Sequence, residues 1–290
     1  MKRSDQINKL GLRLGLLATI VIACKLASVN VPAVQSVRNS IRSIQNLTSR
    51  AETPAMQDMP VITPISVVWE MIGQVSEGRA LIDLRKLTGE EEICIDAECY
   101  TIANRLTGSE GLNWTKDYIY EELVSLGYSV EIRDWSLEGS ADQNIIARKT
   151  GKISPAEEIY FVAHMDGVGT GVQQSPAADD DGSGIVDMLE MARVLSSYSF
   201  NRTVVLFFTT GEEQGRLGSR YYLNELSPEE LSSIKYVVDL DMVGYDANGD
   251  GVMELWDGGD SSSLPLTYMM SEIIETYQID LSPVFVTGCG

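Results

Sequence analysis

The sequence has 290 residues, of which 44% are hydrophobic and 7% aromatic, values typical of a soluble globular protein and not of a disordered chain. Its 42 Asp and Glu residues outnumber its 22 Lys and Arg residues and give a formal net charge of -20. Nucleic acids and anionic membrane surfaces bind through clustered Lys and Arg side chains. The composition therefore excludes nucleic acid and an anionic membrane surface as expected partners.

The first 50 residues differ from the rest of the chain in charge. They hold eight Lys and Arg residues and a single acidic residue, Asp5. Four of the basic residues precede residues 14–23, an apolar run with the length of a signal-peptide core and too short to span a bilayer comfortably. We therefore predict a secretory signal in residues 1–25. The alternatives are a buried core helix and an uncleaved anchor.

The end of this apolar run, Val21-Ile22-Ala23-Cys24, resembles a bacterial lipobox. A lipobox would place a lipid on Cys24 at the mature N-terminus, so the only membrane contact expected is an N-terminal lipid anchor. The alternative is a cysteine that is removed with the signal. The sequence thus predicts a protein that is secreted, periplasmic or held at the cell surface.

The chain beyond the signal divides into two further parts. Residues 26–63 show no sustained hydrophobic period and are punctuated by Pro54 and Pro60, which is typical of a linker or pro-segment. Residues 64–290 have the pattern of one compact domain. Within it, Cys94 and Cys99 could close a small disulfide loop or remain as two free thiols.

The hydrophobic periods in this domain predict helices interleaved with strands. Helical spacing is found in residues 67–87, 114–126 and 185–195. Short β-rich runs occupy residues 128–135, 144–148, 159–163, 203–208 and 236–240. This order predicts a three-layer α/β/α fold with a mixed, mainly parallel central sheet.

A candidate site lies at the predicted strand ends. His164, the only histidine, closes one apolar run and is followed by Asp166. Three acidic segments follow other runs or precede a helix: residues 179–181, the pair Glu212 and Glu213, and Asp241. Each segment by itself fits a solvated face or, for the Asp triplet, a helix cap. Together beside an imidazole they would repel one another unless a cation were bound, and their oxygen and nitrogen atoms suit zinc, manganese or cobalt.

The same segments resemble the metal-site motifs of the clan MH zinc peptidases. The segments are His164-Met165-Asp166, Ala178-Asp179-Asp180-Asp181-Gly182-Ser183-Gly184, Gly211-Glu212-Glu213 and Asp241-Met242, with residues 104–111 upstream resembling the start of the domain. The clan includes bacterial leucyl aminopeptidases, glutamate carboxypeptidase II, glutaminyl cyclase and the non-catalytic ectodomain of the transferrin receptor. The resemblance implies a zinc exopeptidase-like fold.

The resemblance also implies a site with two zinc ions. Asp180 matches the carboxylate that bridges them. His164 and Asp241 would complete one zinc, and Glu213 would bind the other. The family has a further histidine for the second zinc, but no histidine follows His164 here. We therefore expect that the sequence stops before that ligand. A protein without it would bind one zinc ion or be inactive.

The resemblance also implies catalytic roles for two residues of these motifs. Asp166 would orient His164, and Glu212 would act as the general base. The implied protein is a secreted zinc-dependent exopeptidase with peptides as substrates, and an aminopeptidase is the favoured class. The alternatives are an inactive binding module on the same fold and a glutaminyl cyclase that needs one zinc. The sequence indicates neither the preferred side chain nor the oligomeric state.

Overall fold

The computed structural model describes residues 63–169, 176–246, 248–259 and 262–288. The predicted signal, Cys24 and the linker up to residue 62 lie outside the described residues and stay predictions. No helix of the described part is long and apolar enough to cross a membrane.

Helices and strands alternate as the sequence predicts. The helices are α1 (Ser66–Ile72), α2 (Glu77–Leu87), α3 (Glu110–Ser125), α4 (Gly182–Ser196), α5 (Leu217–Glu225), α6 (Pro228–Ser233) and α7 (Leu264–Thr276). The strands are β1 (Ile93–Ile95), β2 (Glu98–Tyr100), β3 (Ser129–Leu137), β4 (Ser140–Lys149), β5 (Ser154–His164), β6 (Arg202–Thr209), β7 (Ile234–Asp239), β8 (Val252–Trp256) and β9 (Ser282–Val286).

The central sheet has five strands in the order β3-β4-β6-β5-β7. Strand β5 pairs in parallel with both β6 and β7, whereas β4 is antiparallel to β3 and β6. Four strands therefore run in one direction and β4 in the other, which confirms a mixed sheet. Because β5, β6 and β7 are parallel, their carboxyl ends meet at one edge, where sites of α/β proteins form.

Both faces of the sheet are covered by helices. In β5 and β6, Phe161 and Leu206 face the larger core, which includes residues of α2, α3 and α4. Their neighbours Tyr160 and Phe207 face the other side and pack with Tyr222 of α5. This alternation follows from the two-residue period of a strand. The three-layer α/β/α architecture is thereby confirmed.

The structure differs from the predicted elements in three places. The helical pattern over residues 67–87 forms two helices, because α1 ends at Gly73 and the Ser76 hydroxyl caps α2 by accepting the Arg79 N–H. Strands β1 and β2 form a hairpin closed by a disulfide between Cys94 and Cys99. Strands β8 and β9 form a separate parallel pair that contacts α7.

Candidate metal centre

His164 is the last residue of β5, at the edge where the three parallel strands end. Its Nδ1 lies 3.0 Å from the backbone oxygen of Asp166. With the proton assigned to Nδ1, the Nε2 lone pair is free to bind a metal. Nε2 faces two carboxylates, 3.0 Å from Asp180 Oδ1 and 3.9 Å from Asp241 Oδ1. The structure thus brings together the three residues that the resemblance assigns to one zinc.

Glu213 joins this group from the loop after β6. Three possible ligand atoms, one from each of His164, Asp180 and Glu213, lie within 4.8 Å of one another. His164 Nε2 and Glu213 Oε1 are buried and form no hydrogen bond with the described residues; the 3.0 Å contact of Nε2 with Asp180 lacks hydrogen-bond geometry. A buried polar atom without a partner costs about 1–3 kcal/mol. Zinc fits this group of residues, because it takes nitrogen and carboxylate ligands and would give each of the two orphaned atoms a partner.

Asp166 is fully buried and organises the loop that carries both glutamates. Its Oδ1 and Oδ2 accept the backbone N–H groups of Glu212 and Glu213, each at 3.2 Å. The Thr107 hydroxyl also donates to Oδ2 at 3.3 Å. Its carboxylate is 3.8 Å from His164 Nδ1, so the closer contact with the imidazole is through the Asp166 backbone oxygen. Asp166 therefore connects β5 to the glutamate loop.

Asp181 is a site residue to which the sequence analysis gave no role of its own. Its fully buried carboxylate accepts the Gly184 N–H at 2.9 Å and so caps α4. The other carboxylate oxygen accepts the backbone N–H of His164 at 3.1 Å. The sequence did indicate the cap, since an Asp directly before a helix accepts the free N–H groups of its first turn. The second contact joins the end of β5 to the loop before α4.

The remaining Asp of the triplet positions the loop after β7. Asp179 Oδ1 accepts the backbone N–H of Gly244 at 3.0 Å. This contact ties the loop before α4 to the segment that carries Asp241. The three consecutive Asp residues thus perform three tasks: Asp180 faces the imidazole, Asp181 caps α4, and Asp179 holds the neighbouring loop.

The clustered carboxylates create a strongly negative centre. Burial by itself would lower the pKa of His164, but the carboxylates around it, led by Asp180 and Asp241, raise that pKa to about 12. Burial and the charge of Asp180 raise the pKa of Glu213 to about 7. Burial also raises the pKa of Glu212. The centre therefore favours a positive charge, which a divalent cation would supply.

Arg105 lies directly behind the centre, within the segment 104–111 that resembles the start of the peptidase domain. Its side chain is completely buried. The guanidinium donates to the backbone oxygens of Met165 at 2.9 Å and Ala177 at 2.7 Å. It thus contacts both the end of β5 and the loop that leads to the Asp triplet.

The chain is similar to known aminopeptidases. The probable leucine aminopeptidase 2 of Aspergillus fumigatus is 32% identical over 158 residues, which cover 53% of this chain and 30% of that protein. Aminopeptidase YwaD of Bacillus subtilis is 43% identical over 103 residues, which cover 35% of this chain and 22% of that protein. The chain therefore spans less than a third of the length of either relative.

A solved structure has the same fold. BSAP, a zinc aminopeptidase from Bacillus subtilis, superposes with a TM-score of 0.59 and 18% sequence identity, covering 73% of this chain and 79% of that chain. The metal-centre residues all fall within residues 144–287, the segment that matches the profile of Peptidase family M28. The segment of residues 144–287, which carries the metal-centre residues, therefore belongs to Peptidase family M28.

Proposed function

We propose that this protein is a secreted zinc-dependent exopeptidase of the aminopeptidase type. The observation that carries the proposal is the group formed by His164, Asp180 and Glu213, whose ligand atoms lie within 4.8 Å of one another and include two buried atoms without hydrogen-bond partners in the described chain. The names of the relatives support the aminopeptidase class. The basic and apolar N-terminal segment supports export.

The ligand set supports one tightly bound zinc in this chain. His164, Asp180 and Asp241 would hold it and leave an open position for water or substrate. A second ion would have only Asp180 and Glu213 among the residues singled out, because the sequence contains no other histidine. We expect two ions only where a further histidine completes that second site.

Zinc bound at this centre would supply Lewis-acid chemistry, acidifying water and polarising the carbonyl of a peptide bond. The chain's own residues would handle the proton. The Glu212 carboxylate accepts a proton as the water oxygen attacks the carbonyl carbon, and it passes that proton to the amine nitrogen as the C–N bond breaks. Burial raises the pKa of Glu212, which brings its basicity closer to neutral pH.

The geometry around Asp166 supports this division of roles. Glu212 and Glu213 are adjacent, and the Asp166 carboxylate accepts both of their backbone N–H groups. One glutamate can therefore bind metal while the other is held beside it as the base. The acidic surroundings would also attract a cationic N-terminal amine, which favours an aminopeptidase over a carboxypeptidase.

The proposal is tested by measuring zinc content beside hydrolysis of aminoacyl-p-nitroanilides. Hydrolysis that a chelator abolishes and added zinc restores would support it. A protein that binds zinc but hydrolyses none of these substrates would instead be a binding module on the peptidase fold. Cyclisation of a peptide with an N-terminal glutamine, without hydrolysis, would identify a glutaminyl cyclase.

A further inference from the structure

We infer that Arg105 is a positioning residue of the metal centre, which fastens the strand end carrying His164 to the loop carrying Asp180. The inference rests on the proposed zinc site. Arg105 touches neither substrate nor metal in this role. It acts by fixing the backbone on both sides of the ligands.

The first half of the contact is made at the end of β5. Arg105 Nε donates to the backbone oxygen of Met165 at 2.9 Å, and Met165 lies between His164 and Asp166. The backbone oxygen of Arg105 accepts the N–H of Gly167 at 3.1 Å. Side chain and backbone of one residue therefore hold the chain before and after Asp166. This restrains the direction in which the imidazole projects.

The second half is made on the loop before α4. Arg105 Nη2 donates to the Ala177 oxygen at 2.7 Å, and Nη1 donates to the Pro176 oxygen at 3.0 Å. The Ala177 oxygen also accepts the N–H of Gly182 at 3.0 Å. Asp180 lies between these two anchored points, so its carboxylate is held facing His164. A further bond from Nη1 to Leu87 at 2.9 Å ties this assembly to α2.

Charge gives Arg105 a second effect on the same centre. Burial lowers its pKa to about 10, and the nearby Asp181, Asp166 and Asp180 act against this decrease. The guanidinium therefore stays protonated near neutral pH. A fixed positive charge behind the ligands reduces repulsion among carboxylates that must converge on one ion. Its planar group also directs donors on three separate nitrogens at different carbonyl oxygens, an arrangement that the single nitrogen of an ammonium group does not reproduce.

Arg193 provides a matched control, because it is another largely buried arginine. It pairs with Asp83 at 2.5 Å and with Glu122 at 2.6 Å. It lies in the last turn of α4, at the opposite end of that helix from Asp181. Loss of Arg193 should cost stability without moving a metal ligand. Comparison of the two arginines separates positioning of the centre from support of the fold.

The experiment measures zinc affinity of the full chain by competition with a chromophoric chelator. Arg105→Met should weaken zinc binding by about 10–100-fold, the usual cost of removing a group that orients metal ligands. Arg105→Lys keeps a cation but not the planar donors, so it should recover only part of that loss and serves if Arg105→Met does not fold. Arg193→Met should lower the unfolding midpoint and leave the zinc Kd unchanged.

A spectroscopic readout accompanies the affinity. With Co²⁺ in place of zinc, the visible absorption should change in both Arg105 variants and stay as in the wild type in Arg193→Met. Equal Kd values and equal spectra for the wild type and the Arg105 variants would overturn the inference, as would equal losses of affinity in Arg105→Met and Arg193→Met. Absence of zinc binding in the wild type would overturn the proposed function itself, and this role with it.

Discussion

The carboxylate of Asp166 accepts the backbone N–H of Glu213 at 3.2 Å, and so a residue just after β5 fixes a residue in the loop after β6. The same Asp166 contacts the His164 imidazole through its backbone oxygen. His164 and Glu213, the proposed nitrogen and carboxylate ligands, are therefore set relative to each other by one buried residue. Their spacing should depend on its ability to accept hydrogen bonds.

Asp166→Asn tests this dependence. The amide NH₂ of asparagine cannot accept a hydrogen bond, so one of the two N–H groups, that of Glu212 or that of Glu213, would lose its acceptor. We expect zinc affinity to fall by about 10–100-fold, as for other groups that orient metal ligands. Isothermal titration of the metal-free protein with zinc measures the change. Asp134→Asn, which alters an exposed contact with Gln143, should leave the affinity as it is; equal affinity in both variants would refute the role of Asp166.

Glu212→Gln tests the general base. The variant keeps the shape of the side chain but cannot take a proton, so kcat should fall by about 100–10,000-fold. Zinc content should stay at the wild-type value, because Glu212 is not placed among the ligands. Steady-state kinetics and metal analysis on one preparation check both statements. Glu229→Gln on α6 serves as the control, and an unchanged kcat in Glu212→Gln would remove this residue from the mechanism.

Gly184 in α4 allows a close approach between that helix and the end of β7. A Cβ at this position would lie 2.3 Å from the backbone oxygen of Leu240 and 2.5 Å from Asp181 Oδ1. Gly184→Ala should therefore destabilise the fold by about 1–3 kcal/mol through overpacking. Denaturant unfolding measures this loss.

The matched control for this substitution is Gly78→Ala in α2. A Cβ there would meet nothing closer than the Ser76 hydroxyl at 3.7 Å. Alanine in a helix should then raise stability by up to about 1 kcal/mol. Loss of stability in both variants, or in neither, would contradict the close approach at Gly184.

Burial of Tyr128 should make the folded protein less stable at alkaline pH. Its side chain is buried, and burial raises its pKa in the folded protein. An unfolded tyrosine ionises near pH 10, so the stability it contributes is complete below about pH 10 and is lost as pH rises further. Tyr128→Phe should show a shallower loss in unfolding experiments between pH 9 and about 11. Tyr245→Phe, at an exposed site, should follow the wild type; identical slopes for all three proteins would refute the assignment.

Much of this architecture follows from patterns local in sequence. The short apolar runs at residues 159–163 and 203–208 predict strands of a sheet that is covered on both faces, and His164 at the end of the first run predicts where the site lies. The grouping of His164, Asp180 and Glu213 also follows, because parallel strands end at one edge. The residues proposed to bind metal could therefore be named before the fold was known.

The supporting contacts could not be predicted in this way. Arg105 contacts Met165 and Ala177, which are 60 and 72 residues away along the chain. No period or motif specifies which carbonyl oxygens a buried guanidinium reaches, since that depends on how α2, β5 and the loop before α4 pack. The second contact of Asp181, with the His164 backbone, was missed for the same reason.

The zinc centre is tested most directly by measuring zinc content together with hydrolysis of an aminoacyl-p-nitroanilide, in the wild type and in His164→Ala. We expect one tightly bound zinc per wild-type chain and hydrolysis that disappears on chelation and returns with zinc. His164→Ala should lose both. A wild-type protein without bound zinc, or zinc and hydrolysis unaffected by the loss of His164, would contradict this expectation.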